Sequence, residues 1–304
     1  QRQPGSIFKP FIYSAALEKG LNAATLVNDG YLYITAAELN SSENWEPQNY
    51  NEKFSGPVRL REGLAKSKNL VAIRVLKHIG PKYAQDYVSR FGFDPKKHQP
   101  YLSMALGVGE VTAMEMVSAY SVFANGGYLK KPYFIEKIID SKGRKVKLSS
   151  ALMNAEVPRI IDPRNAFIMT DMLKEVINTG TARKAKRLKR SDIAGKTGTT
   201  NNLIDAWFAG YNPDIVTVTW MGFPQPKPLG NKETGSRAAL PIWIDYMEPI
   251  LEDYPVKMLV EPEGILPLKV KESDGTLAGV NEQGIYEYFY DEFLPQNNAY
   301  FMIN

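Results

Sequence analysis

Between residues 6 and 19, Phe8, Phe11, Ile12, Ala15 and Ala16 return to one side of a helix of period 3.6, with Pro4-Gly5 as the turn before it and Gly20 as its stop. Pro10 fits such a helix only in the first turn, where its missing N–H is not needed. Residues 31 to 57 are polar and turn-rich around Trp45, Pro47, Asn49, Tyr50, Gly56 and Pro57, and read as loops and short strands. Helical spacing returns from Leu60 to Ile79 in Leu60, Leu64, Val71, Val75 and Leu76, with a break around Ser67-Lys68-Asn69. Val111 to Phe123, closed by Asn125-Gly126-Gly127, and Ala166 to Ile177, closed at Gly180, predict two more helices.

The period then changes. Ile193 to Thr199, Ala206 to Tyr211 and Ile215 to Phe223 are short β-rich runs separated by Asn201-Asn202 and Asn212-Pro213-Asp214, which predicts an antiparallel meander. A last helix is expected around Ala238 to Leu251. The order of elements indicates an α/β or α+β layered domain, an antiparallel sheet flanked by helices. From Pro255 onward Pro262, Gly264, Pro267, Gly275 and Gly279 break up short apolar runs. The expected units are therefore a main domain over residues 1–255 and a C-terminal extension over 256–304, packed on that domain or leading elsewhere.

Composition narrows the chemistry. The 304 residues, 44% hydrophobic, can bury a large core, and 37 Lys+Arg against 33 Asp+Glu leave +4, too mild a charge to imply nucleic acid. There is no cysteine, which removes a thiol nucleophile, a thiolate metal site and a disulfide framework together. With only His78 and His98, a Ser-His-Asp triad or histidine zinc site has little to draw on, and both histidines read as surface or helix-end residues. No phosphate loop or metal-spaced cluster is present, so neither cofactor nor metal is expected. No run approaches the ~18–20 apolar residues of a membrane span, and no signal peptide opens the chain.

A serine can be made nucleophilic without histidine if a deprotonated amine lies within reach, and Ser6-x-x-Lys9 places the two one helical turn apart at a helix start. There, backbone N–H groups and the helix dipole would also welcome an oxyanion. Taken alone, Ser6 reads equally well as a helix cap. Two further motifs follow in order, Ser67-Lys68-Asn69 and Lys196-Thr197-Gly198-Thr199. Ser42-Glu43-Asn44 matches the middle pattern too, but sits in a polar run, whereas Ser67 lies at a helix break. The rarest is Lys-Thr-Gly, expected about once in ten or more chains of this length.

This trio is that of penicillin-binding proteins and class A β-lactamases. Arg2-Gln3-Pro4-Gly5-Ser6, Trp45 with Pro47 and Asn49-Tyr50, Gly56-Pro57-Val58, Ala105 to Thr112, Phe123 to Gly127 and Gly195 to Thr200 resemble class A penicillin-binding proteins. Thr219 to Phe223, Glu233-Thr234-Gly235 and Ala239 to Trp243 look most like the Gram-negative 1A type. The resemblance implies the penicillin-binding protein/serine β-lactamase-like fold and a transpeptidase domain. It also implies upstream strands, a glycosyltransferase domain and a membrane helix outside this chain, and hence a place on the periplasmic face of the inner membrane.

It further implies that Ser6 is the nucleophile and Lys9 its base, that Ser67 relays a proton and that Asn69 binds the substrate backbone. Lys196, Thr197 and Thr199 would hold the terminal carboxylate, with Gly198 keeping the strand edge open and the Ser6 and Thr199 N–H groups forming an oxyanion hole. The implied partners are D-Ala-D-Ala stem peptides as donor, an amine acceptor, and β-lactams. No Glu-x-x-x-Asn water-activating motif stands between Ser67 and Lys196, which speaks against a β-lactamase. A D,D-carboxypeptidase and a non-catalytic sensing module remain as alternatives. Trp45, Tyr50 and Trp207 read as core residues before cleft-lining ones, and the basic run Arg183, Lys184, Lys186, Arg187, Lys189 and Arg190 as a solvated loop.

Overall fold

The first helix is buried on every side. In the computed structural model, which describes residues 1–39, 41–146, 157–295 and 302–304, α1 (Lys9–Glu18) hides every side chain from Lys9 to Leu17. A helix enclosed on all faces is a core element, not the one-sided helix that the spacing predicts. Its polar Ser14 is tolerated because its hydroxyl bonds to Asn165 at 2.7 Å and to the Tyr87 hydroxyl at 2.8 Å. The α-helix also begins later than expected, because Pro10 has no N–H to return to Ser6. The Lys9 N–H bonds the Ser6 carbonyl instead, and Gly5–Phe8 tightens into a 3₁₀ turn.

Around α1 the chain lays down β1 (Leu26–Asp29), α2 (Ala36–Leu39), β2 (Gly56–Arg59), α3 (Leu60–Ala65), α4 (Asn69–Ile79) and α5 (Pro81–Ser89). The break between α3 and α4 falls where the periodicity lapses. Next come α6 (Ala113–Ala124), opened by a Thr112/Glu115 capping box, and a small hairpin of β3 (Ile138–Ile139) and β4 (Lys145–Val146). Then α7 (Pro163–Asn178) starts three residues before the predicted boundary, because Asp162 caps it and Pro163 fits its first position.

The meander is present as β5 (Ala194–Thr199), β6 (Asp205–Tyr211) and β7 (Val216–Gly222), antiparallel in that order. Phe208 and Tyr211 stand three residues apart on β6 and so face opposite sides. Trp243 of α8 (Leu240–Glu252) meets Phe208 at 5.0 Å, and Tyr120 of α6 meets Tyr211 at 6.3 Å. Helices thus flank both faces of the sheet, the layered arrangement expected.

The tail folds back on the rest of the chain. Its hairpin, β8 (Ile265–Val270) with β9 (Ile285–Tyr290), carries a fully buried Glu287. That carboxylate accepts from Arg59 Nη1 at 2.8 Å and from Arg61 Nε at 2.8 Å, and Arg61 also pairs with Asp171 of α7 at 2.6 Å. Finally β10 (Met302–Ile303) runs parallel to β1.

Several local expectations are corrected. His98 is a core residue stacked flat on Phe8 at 4.8 Å, because the apolar loop beneath α1 closes over it; His78 does lie exposed in the last turn of α4. The basic run is solvated as expected, with Arg183, Lys184, Lys186, Arg187 and Lys189 exposed, but it is a 3₁₀ helix, Arg183–Leu188, and not a loop; Arg187 pairs with Asp245 and Glu248 of α8, and an Arg190–Asp192 ion pair follows. Trp207 is buried and Trp45 half-buried against the core, but Tyr50 is 68% exposed.

Candidate active site

Four elements converge on one cleft: the 3₁₀ turn before α1, α1 itself, the turn between α3 and α4, and β5. The Ser6 segment is fastened to the sheet by its own neighbours. Arg2 donates to the Phe223 carbonyl at 2.7 Å and stacks over Trp220, while Trp207 Nε1 donates to the Gln3 carbonyl at 2.9 Å. Close approach is possible because two residues lack a Cβ. A Cβ on Gly5, whose φ is +55°, would lie 2.6 Å from the Thr199 carbonyl oxygen, and one on Gly198 would lie 2.6 Å from that of Pro4. Ser6 is held half-buried against β5, and its hydroxyl makes no hydrogen bond among the described residues. The cap reading of Ser6 therefore fails.

The Lys9 side chain does not bond the Ser6 hydroxyl. Its fully buried Nζ donates to the Ser67 carbonyl at 2.7 Å and Asn69 Oδ1 at 2.8 Å, and lies 3.4 Å from Ser67 Oγ. From the opposite side Lys196 Nζ donates to Ser67 Oγ at 2.7 Å and to the Thr197 carbonyl at 3.2 Å. Ser67 thus bridges two buried amines, with its backbone at φ +57°, a left-handed conformation costly for a residue with a Cβ. Burial first, then the charge of Lys196, pushes the Lys9 ammonium well below the ordinary lysine range, against an opposing pull from Asp29. Burial lowers Lys196 to about 7. The pair holds fewer than two protons near neutral pH, which leaves an amine able to accept one.

The strand edge beside them is open for backbone pairing. The Thr200 N–H bonds the Asp205 carbonyl at 3.1 Å, so alternation turns Gly198 and Lys196 toward β6 and Thr197 and Thr199 toward the edge. The threonine hydroxyls are less available than predicted: Thr197 Oγ1 lies 2.5 Å from Thr181 Oγ1, and Thr199 Oγ1 accepts from the Gly235 N–H at 3.0 Å. Asn69 Nδ2 donates to the Gln48 carbonyl at 2.9 Å. The competing Ser42-Glu43-Asn44 is exposed, and its Asn44 caps α2 by accepting from the Ala36 N–H at 2.8 Å.

Sequence reasoning missed a layer beneath the turn. Asn49 Oδ1 accepts from the N–H groups of Asn69 and Leu70, capping α4, while its Nδ2 donates to Asp29 at 2.6 Å. Asp29 is fully buried, pairs with Lys68 Nζ at 2.7 Å and accepts from the Ser55 N–H at 3.0 Å. The only signal was an acid ending the apolar start of β1.

What these elements define is a mixed α/β protein with a serine hydroxyl, two buried lysines bridged by a second serine, and a free strand edge along one wall. Residues 1–248 match the penicillin binding protein transpeptidase domain, and the chain belongs to that family. Its relatives are of the 1A type. It is 49% identical over 266 residues to penicillin-binding protein 1A of Neisseria lactamica, covering 87% of this chain and 33% of that protein. To penicillin-binding protein 1A of Pseudomonas aeruginosa it is 42% identical, covering 97% of this chain and 41% of the relative. The chain thus spans between 33% and 41% of the length of these curated relatives. The crystal structure of penicillin-binding protein 1A from Haemophilus influenzae superposes with a TM-score of 0.92 at 34% identity, over 98% of this chain and 49% of that one. PonA1 of Mycobacterium tuberculosis shares the fold, with a TM-score of 0.73 at 23% identity over 85% of this chain and 72% of that one.

Proposed function

We propose that the chain is a serine D,D-transpeptidase that cross-links peptidoglycan stem peptides and is acylated by β-lactams. The observation that carries this reading is the bridge Lys9–Ser67–Lys196 beside a half-buried Ser6 whose hydroxyl has no hydrogen bond among the described residues. Ser6 Oγ attacks the carbonyl between the two terminal D-alanines, and its proton passes to neutral Lys9. The oxyanion is held by the N–H groups of Ser6 and Thr199, a contribution of about 3–4 kcal/mol for a single such donor in other enzymes. Collapse breaks the C–N bond, Ser67 hands a proton to the departing D-alanine amine, and Lys9 passes the proton it took from Ser6 on to Ser67. An amine from a second stem peptide then attacks the acyl-enzyme and returns Ser6 with its proton. Lys196, Thr197 and Thr199 receive the terminal carboxylate, and Asn69 with the open edge of β5 binds the extended peptide as an added strand. Catalytic hydrogen bonds often tighten only with substrate bound, in keeping with the lack of a bond between the Ser6 hydroxyl and Lys9 Nζ.

By the same reading the domain comprises residues 1–255 with 256–304 as an extension, and works on the periplasmic face of the inner membrane, anchored by a segment outside this chain. Among the described residues no helix is long and apolar enough to cross a membrane. Labelled penicillin followed by intact-mass and peptide analysis tests the proposal. A stable adduct on Ser6, with cross-linked dimers when an acceptor stem peptide is supplied, supports it. Rapid return of the unmodified mass would indicate a β-lactamase, D-alanine release without dimers a carboxypeptidase, and an adduct with no D-alanine release a sensor.

A further inference from the structure

The turn that carries Ser67 rests on a side chain outside all three motifs. Resting on the acyl-transfer reading above, we propose that Asp29 is a positioning residue: through Lys68 and Asn49 it holds the Ser67–Asn69 turn in register, and its carboxylate is the buried negative charge facing Lys9. The geometry makes the first role direct. Ser67 is followed by Lys68, whose Nζ is clamped 2.7 Å from Asp29 Oδ2 and 2.8 Å from Ser55 Oγ. Asn69 is capped by Asn49, itself fixed by Asp29 Oδ1. Two adjacent residues of the turn are thereby tied to the end of β1, and the unfavourable φ of Ser67 is sustained by the residues that follow it. Every hydrogen bond of the Lys9 Nζ among the described residues ends on that turn, so a shift of the turn displaces the base.

The second role is electrostatic. Charged groups act on Lys9 from two elements: Lys196 on β5 disfavours its ammonium, and Asp29 on β1 favours it. Lys68 sets the opposite charge beside Asp29 in their ion pair, and Tyr13, on α1 itself, is held far above its ordinary range by burial and Asp29 and stays neutral. The base must be neutral to accept the Ser6 proton, so the rate of acylation rises with pH through an acid limb owned jointly by Lys9 and Lys196. Deleting the Asp29 charge removes what favours the protonated form. The limb then moves to lower pH.

The test is the pH profile of Ser6 acylation by labelled penicillin in wild type, Asp29→Asn and the double variant Asp29→Asn/Lys68→Met. Asp29→Asn leaves the Lys68 ammonium buried and unpaired, and a displaced turn lowers the plateau rate by about tenfold or more. The double variant leaves no orphan charge and regains much of the thermal stability, so it carries the test should the single variant fail to fold. In Asp29→Asn the acid limb lies at lower pH than in wild type, a displacement that a scaffold role alone would not produce, and in the double variant, which removes both charges of the pair, it moves less. A limb that stays in place in folded Asp29→Asn overturns the electrostatic role, and an unchanged plateau in both variants overturns the positioning role. A wild type that takes no label on Ser6 would instead remove the proposed function.

Discussion

Glu287→Ala tests how the tail is bound to the rest of the molecule. The carboxylate is wholly enclosed and serves two guanidinium groups, Arg59 through Nη1 and Arg61 through Nε and Nη2. Truncation treats them unequally. Arg61 keeps Asp171 at 2.6 Å, but Arg59 keeps only the Glu272 carbonyl at 3.1 Å and a loose 3.9 Å approach to the Glu272 carboxylate, which is 77% exposed. One buried charge is therefore left without an effective counter-ion, which costs about 3–5 kcal/mol. Glu272→Ala removes only an exposed partner and changes stability by less than about 1 kcal/mol. Equilibrium urea denaturation of the whole chain, comparing midpoints at matched slope, reads both. A Glu287→Ala loss below about 1 kcal/mol, or a Glu272→Ala loss equal to it, would refute the view that this buried carboxylate locks the tail hairpin to α3 and α7.

Two further outcomes follow from the cleft. Lys196 is lowered from 10.5 to about 7 in the folded chain, so between those values the unfolded chain binds more protons and stability rises with pH. Lys196→Met accordingly flattens the urea-midpoint rise between pH 7 and 10, raises stability at neutral pH and abolishes Ser6 acylation; a slope equal to wild type would contradict the buried neutral amine. Gly198→Ala puts a methyl 2.6 Å from the Pro4 carbonyl and 2.9 Å from Ile7, forcing the turn that carries Ser6 off β5. Acylation falls by about 100-fold for a displacement near 1 Å, while urea denaturation shows a loss of about 1–3 kcal/mol; wild-type labelling rates in this variant would show that the close approach is dispensable.

Helix and strand positions were legible because burial leaves a period in the sequence, and the lapse at Ser67 pointed to the turn for the same reason. The three motifs and the surrounding resemblance supplied the family, and the antiparallel order of β5 to β7 followed from their short spacing. What was hidden had no period. Asp29 meets Lys68 and Asn49 across loops, and Glu287 reaches Arg61 from 226 residues away, so neither partner marks the other locally. His98 misled because two flanking polar residues, Lys97 and Gln99, suggest a surface when the ring between them turns inward onto Phe8. The two-part start of α1 was readable in principle from Pro10, but only if the missing N–H is traced to the carbonyl it would have served.

Ser67 is also the meeting point of chain segments made at very different times. Its partners Lys9 and Lys196 lie 58 and 129 residues away along the chain, in opposite directions. At ordinary translation rates, on the order of 10 to 40 seconds of synthesis separate Ser6 from the strand that completes the cleft. Contacts of such long sequence range form late in folding, since loop closure must precede them. On the proposed acyl-transfer function, a nascent or half-folded chain therefore carries an inert Ser6. Covalent capture of a labelled β-lactam during refolding would act as a clock, starting only when the last wall of the cleft has closed.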